Sequence, residues 1–213
     1  MRKPVRLIAL AVAVALAESG GDPAALGVFK RVLATKGATD SVRTYTIHGI
    51  GKYGNHADEK VRKDSDEMLA LLTPIIKAFL TDNGHIATNA CMQVFGGHGF
   101  IRETGMEQFV RDNRINMIYE GTNTIQSLDL LGRKVLGDNG KKLKAFGKKI
   151  AEFVEEEGIR EDMQEFINPL ADIGDKVTKL TTELGMKAFG NPDEVGAAAV
   201  DYLRVVGHLV FSY

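Results

Sequence analysis

Apolar residues recur at three- and four-residue intervals along most of the chain, the rhythm of helices that bury one face. Between Ala57 and Phe95 they fall at Val61, Met68, Leu72, Ile75, Ile76, Phe79, Leu80, Ile86, Ala90 and Val94. Thr73-Pro74 interrupts this stripe, either as a kink or as a cap with proline at the first helical position. Asn83-Gly84 is a second weak point, so the pattern predicts one long bent helix or two abutting ones. Gly96-Gly97-His98-Gly99 then stops it, because glycine so dense favours non-helical backbone. A short amphipathic helix is predicted from Gly105 to Asn113 with Thr104 as N-cap. A brief apolar stretch, Ile115 to Tyr119, a turn at Gly121 and a helix from Thr122 to Leu136 follow.

The clearest linker is Gly137-Asp138-Asn139-Gly140, and three helical segments lie beyond it. Lys141 to Glu156 is charged and amphipathic. Glu161 to Phe189 carries the stripe Met163, Phe166, Ile167, Leu170, Ile173, Val177, Leu180, Leu184. The last begins at Asn191-Pro192-Asp193-Glu194, an N-cap, first-position proline and third-position glutamate in order. It stays apolar to Tyr213 with no stop signal, so the chain reads as ending inside a helix. No period-2 alternation of useful length appears, and the fold class is all-α. Residues 20–55, with Gly49, Gly51 and Gly54 among His48, Tyr53 and His56, show no helical rhythm.

The N-terminus admits two readings. A basic head, the apolar run Leu7 to Ala17 and an Ala15-Leu16-Ala17 exit match a secretory signal peptide; the run is too short to span a bilayer. The alternative is an alanine-rich buried helix.

Composition narrows the function. Of 213 residues, 27 are Lys or Arg and 28 Asp or Glu, a net charge of −1 that gives a nucleic-acid binder no basic face. The single cysteine, Cys91, excludes an internal disulfide and a Cys-based zinc cage and suits a reducing, cytoplasmic setting. The histidines at 48, 56, 85, 98 and 208 show no metal-binding spacing, so no metal site is expected.

Three features carry candidate chemistry. Glu120, following Ile118 and Tyr119, is a carboxylate that partial burial would turn into a stronger base; a helix-start glutamate favoured by the macrodipole is the plainer alternative. Gln93-Val94-Phe95-Gly96-Gly97-His98-Gly99 offers backbone N–H groups to a phosphate, or is simply a helix C-cap and turn. It is not G-x-G-x-x-G and has no strand before it. Arg111-Asp112-Asn113-Arg114 reads as a solvated or structural charge cluster.

Taken in order and spacing, QVFGGHGFIRETGMEQFVRDNRINMIYEGTNTIQ, Gln93 to Gln126, closely resembles the C-terminal signature of the acyl-CoA dehydrogenases. The preceding helix and the continuation SLDLLGRKVL are similar to that family too. Gly140 to Tyr213 resembles the helical extension of a longer branch, similar to 3-methylmercaptopropionyl-CoA dehydrogenase-like enzymes. The resemblance implies the family's C-terminal four-helix bundle over residues 1–137, with an atypical N-terminal part, and the extension over 138–213. The family's N-terminal helical domain and β domain are not in this sequence. On that alignment Met1 to Ala17 falls near the bundle's first helix.

The resemblance implies roles residue by residue. Glu120 matches the catalytic base that removes the α-proton of an acyl-CoA thioester while a β-hydride passes to FAD. Gly121 matches the backbone beside the thioester, and Tyr119 lines the acyl pocket. Gln93, Val94, Phe95, Gly96 and Gly97 match the stretch touching the adenosine-diphosphate part of FAD, held in the family mainly by a neighbouring subunit. Thr122, Asn123 and Thr124 match a second FAD contact. The expectation is a C-terminal fragment of a flavin-dependent dehydrogenase, inactive alone, that works as a homo-oligomer or with a partner chain carrying the missing domains. The electron acceptor is undetermined, and no nucleic acid or membrane span is implied. The alternatives are an acyl-CoA oxidase and a non-catalytic helical oligomerisation fragment.

Overall fold

The structure, a computed structural model, describes residues 58–213. The signal-peptide and first-helix readings of Met1 to Ala17, and the arrhythmic stretch 20–55, lie outside the described residues. Among the described residues every regular element is a helix, as the periodicity requires. Helix α1 is one 36-residue helix, Glu59–Val94. Pro74 lies inside it and is fully buried, so Thr73-Pro74 is not a helix start. Proline leaves a carbonyl of the preceding turn without its N–H donor; beside it, the Thr73 hydroxyl donates to the Leu69 carbonyl at 2.7 Å. Gly84 does not end the helix either. A Cβ there would sit 2.9 Å from Asn113 Nδ2, so the missing side chain admits a neighbour.

The chain packs as two units, one containing Leu80–Glu120 and the other Ile50–Phe79 with Gly121–Tyr213. The first holds the end of α1, the single turn α2 (Gly97–Phe100), a 3-10 turn Arg102–Thr104, α3 (Met106–Arg114) and a 3-10 turn Ile115–Met117. The glycine run thus breaks α1 but starts a turn of helix of its own. Thr104 is not the N-cap of α3. It belongs to the 3-10 turn, and Gly105, left-handed at φ 73, sends its N–H back to Arg102 O and redirects the chain into Met106. The small core of this unit is Cys91 and Met106, packed by Met92, Phe95 and Phe109. Ile86 and Val94, expected on the buried stripe, are instead exposed.

In the second unit α4 (Asn123–Leu128) continues as a π-helix, Asp129–Val135, and a 3-10 turn, Leu136–Asp138. Leu130, Leu131 and Val135 are all fully buried. At 100° per residue they would span an arc of about 140°; the wider π turn advances roughly 80° per residue and gathers them within about 80°. That is why the single helix expected from Thr122 to Leu136 widens midway.

Helices α5 (Lys141–Glu157), α6 (Gln164–Gly190) and α7 (Asp193–Ser212) complete this unit. Asp138 caps α5, its carboxylate accepting from the Lys141 and Lys142 N–H groups at 3.1 and 3.3 Å and from Lys142 Nζ at 2.7 Å. Asn191 Oδ1 accepts from the Asp193 N–H at 3.2 Å, as the sequence start signal implies. The core joins Leu71, Ile75, Phe146, Ile150, Leu170, Val177, Tyr202, Leu203 and Val206. Phe166, expected among them, is exposed near the start of α6. Helix α7 is long and apolar enough to cross a membrane by length and composition, yet Ala199, Tyr202, Leu203, Val206 and Leu209 line this core. The Tyr202 hydroxyl is satisfied by Thr181 at 2.8 Å, and burial pushes its pKa up to about 12.

Two predictions follow from this packing. A Cβ on Gly207 would stand 2.3 Å from Cδ2 of Phe79, whose ring is stacked on Phe211 and edge-on to His208. Gly207→Ala should therefore lower stability by about 1–3 kcal/mol, overpacking that a thermal melt reads as a drop of several degrees. Burial alone pushes the Cys91 thiol up to about 11. Iodoacetamide at pH 8 should leave Cys91 unmodified in the native chain and alkylate it in denaturant. Because the folded pKa is the higher, this thiol's contribution to stability is complete below pH 9 and lost as pH rises toward 11.

Candidate functional site

The second unit places Gly121, Thr122, Asn123 and Thr124 at the entry to α4. Thr122 is its N-cap, extended at ψ 160, its hydroxyl accepting from the Ile125 N–H at 3.4 Å. Asn123 is held on both faces of its amide. Its Nδ2 donates to the Ala78 carbonyl at 3.3 Å, and its Oδ1 accepts from Lys77 Nζ at 2.7 Å. Lys77 Nζ also donates to the Gly121 carbonyl at 2.8 Å. Lys77 is only 8% exposed, an ammonium largely withdrawn from water. A charge so placed is costly unless its donors are met, and these two oxygens meet it.

Glu120 and Gly121 are both left-handed, at φ 54 and 84. For Gly121 this costs nothing. For glutamate it is an uncommon backbone, worth roughly 1–3 kcal/mol of strain, of a kind concentrated at functional sites. Glu120 is exposed in this chain, which corrects the expectation that its apolar neighbours bury it. The physical reason is local: Ile118 and Tyr119 leave the Ile115–Met117 turn toward the surface and are themselves exposed, so they enclose nothing.

Gln93, Val94, Phe95, Gly96 and Gly97 end α1 in the first unit. Phe95 packs on the Cys91–Met106 core, while Gln93, Val94, Gly96 and Gly97 are exposed. The Gly96 N–H returns to Gln93 O at 3.0 Å, which closes the helix end. A Cβ on Gly96 or Gly97 would meet nothing within 4 Å, so this backbone lies open to a bound group. Arg111 and Arg114 are exposed, as a solvated cluster would be. Among the described residues no three His, Cys, Asp or Glu side chains are placed to hold a metal ion.

Sequence reading missed Lys77. The available signal was a lone cation inside Ile75-Ile76-Lys77-Ala78-Phe79, in a helix whose other charges lie outside that apolar stretch. Its partners, 44 and 46 residues further on, have no local signature.

Residues 53–136 match the model of the acyl-CoA dehydrogenase C-terminal domain, and residues 146–213 match that of the acetyl-CoA dehydrogenase C-terminal-like domain. A 3-methylmercaptopropionyl-CoA dehydrogenase of Ruegeria pomeroyi is 40% identical over 126 residues, 58% of this chain and 21% of the relative. The broad-specificity linear acyl-CoA dehydrogenase FadE5 of Mycobacterium tuberculosis is 28% identical over 149 residues, 67% of this chain and 24% of the relative. The fold is similar to that of Caenorhabditis elegans ACDH-11, solved in complex with C11-CoA, with a TM-score of 0.68 at 20% identity over 97% of this chain and 36% of that one. The chain thus spans about a fifth to a quarter of the length of these curated relatives. With its helical order, its Gly96–Gly99 bend and the two domain matches in sequence, the chain belongs to the acyl-CoA dehydrogenase family as a C-terminal domain of that fold.

Proposed function

We propose that this chain is the C-terminal part of a flavin-dependent acyl-CoA dehydrogenase and that Glu120 is its base. The observation that carries the reading is the backbone of Glu120. A non-glycine residue held left-handed, followed by a left-handed glycine and a capped helix start, presents a carboxylate at a fixed place on the surface. In this reading the desolvation that tunes the carboxylate comes from segments outside this chain, which covers only about a fifth to a quarter of its relatives.

The chemistry divides between protein and cofactor. FAD, when bound, accepts the hydride leaving the β-carbon of the thioester. Glu120 takes the α-proton onto a carboxylate oxygen, which leaves an α,β-unsaturated acyl-CoA. The exposed backbone of Gly96 and Gly97 suits a contact with the adenosine-diphosphate portion of FAD, with Gln93, Val94 and Phe95 shaping its approach. Thr122 and Thr124, exposed at the α4 entry, suit a second contact, oriented by the tethered Asn123. Tyr119 and Gly121 flank the base on the substrate side. These contacts are peripheral ones, so the main seat of the flavin lies in the missing domains or in another protomer, and the working form is an oligomer or a complex.

Two outcomes test this. Purified chain mixed with FAD should show no stoichiometric flavin binding in its visible absorbance; a yellow one-to-one complex would overturn the shared-site reading. In the enzyme completed by its flavin-bearing domains, Glu120→Gln should lower turnover and α-proton exchange by about 10²-fold or more while FAD content is unchanged. Full activity in that variant would remove Glu120 as the base.

A further inference from the structure

The ammonium of Lys77 lies buried in the second unit with two oxygens of one short segment as acceptors, the Gly121 carbonyl at 2.8 Å and Asn123 Oδ1 at 2.7 Å. The acceptors stand two residues apart, so one donor group fixes both the plane of the Gly121–Thr122 peptide and the first residue of α4. The Asn123 amide is locked in turn by its bond to the Ala78 carbonyl, the residue next to Lys77 on α1. The segment is therefore pinned to α1 at two successive positions. What precedes it in the chain is the strained residue: Glu120 at φ 54, directly before Gly121 at φ 84. Strain at a non-glycine residue persists only where the surroundings over-determine it, and the tether begins one peptide bond away.

We propose that Lys77 is a positioning residue: its ammonium, by holding the Gly121 carbonyl and the Asn123 side chain, keeps Glu120 in its left-handed conformation and thereby aims the carboxylate. The catalytic half of this statement rests on the assignment of Glu120 as base; the conformational half does not. No proton moves to or from Lys77 in this role. It acts through geometry, where a misplacement of about 1 Å far from the chemistry is enough to cost about 10²-fold in rate.

Left-handed backbone has a spectroscopic signature, a strong NOE between the amide and α protons of the same residue. In the full chain that signal should be strong at Glu120, lost or weakened in Lys77→Met, and kept in Lys77→Arg, which retains a charged donor. Methionine matches the length and volume of the stem, so α7 amide shifts should not change; Asn123→Ala, which removes one of the two acceptors, should weaken the signal without emptying the core. In the completed enzyme Lys77→Met should lower kcat by about 10²-fold with KM within about twofold, and Lys77→Arg should recover most of the loss. An unchanged Glu120 signal in Lys77→Met would overturn the proposal outright, as would equal loss of activity in Lys77→Arg. A lost signal together with undiminished turnover in Glu120→Gln would leave the tether standing and remove the base instead.

Discussion

A charged ammonium inside a helical core is a constraint that the surrounding chain has to answer. Lys77 sits between Ile76 and Ala78 on the face of α1 that also buries Leu71 and Ile75, and two oxygens must come to it. They are supplied by the segment that opens α4, which sets where the polypeptide turns into its second long run of helices. The N-cap at Thr122 and the two left-handed residues ahead of it belong to the same turn. The local geometry that makes Glu120 noteworthy is thus continuous with an interaction demanded by burial, not an isolated irregularity.

The second constraint is close packing of the later helices. Gly207 lets α7 approach the ring of Phe79 more nearly than any side chain would allow, and Tyr202 closes the gap to α6 through the Thr181 hydroxyl. Three completely buried aliphatics in the π segment, Leu130, Leu131 and Val135, belong to the same core. A helix apolar enough to pass for a membrane span is here the middle of a soluble-type core, because its apolar residues have partners on α1, the π segment and α6.

How far the sequence disclosed this depends on the range of the interactions. Local signals performed well: Asn191-Pro192-Asp193 starts a helix, Asp138 caps one inside the glycine-rich linker, and the stripe Ile167, Leu170, Val177, Leu184 is buried. Signals at the edge of a stripe performed worse. Ile86, Val94 and Phe166 keep the period yet face outward, since periodicity gives a face and not its extent. Thr104 has the right chemistry for an N-cap but is overruled by the left-handed Gly105 after it. At the candidate site, the motif around Glu120 was legible as a resemblance, whereas its backbone conformation and the tether from Lys77 arise from contacts more than forty residues apart. Burial of the carboxylate was inferred from flanking apolar letters, and those side chains turned out to point their surface elsewhere.

The π segment has a bearing on how this stretch tolerates change. A widened turn holds one residue more than an ordinary turn, so Asp129–Val135 behaves as an insertion absorbed without a loop. Excising a single residue there would restore ordinary helix upstream but rotate everything after it by about 100°. Asp138 would then swing off the mouth of α5, and the reading frame of buried side chains between the two halves of this unit would slip. Length variation should consequently gather in the α5–α6 connection around Gly158, where no such phase relation has to be kept.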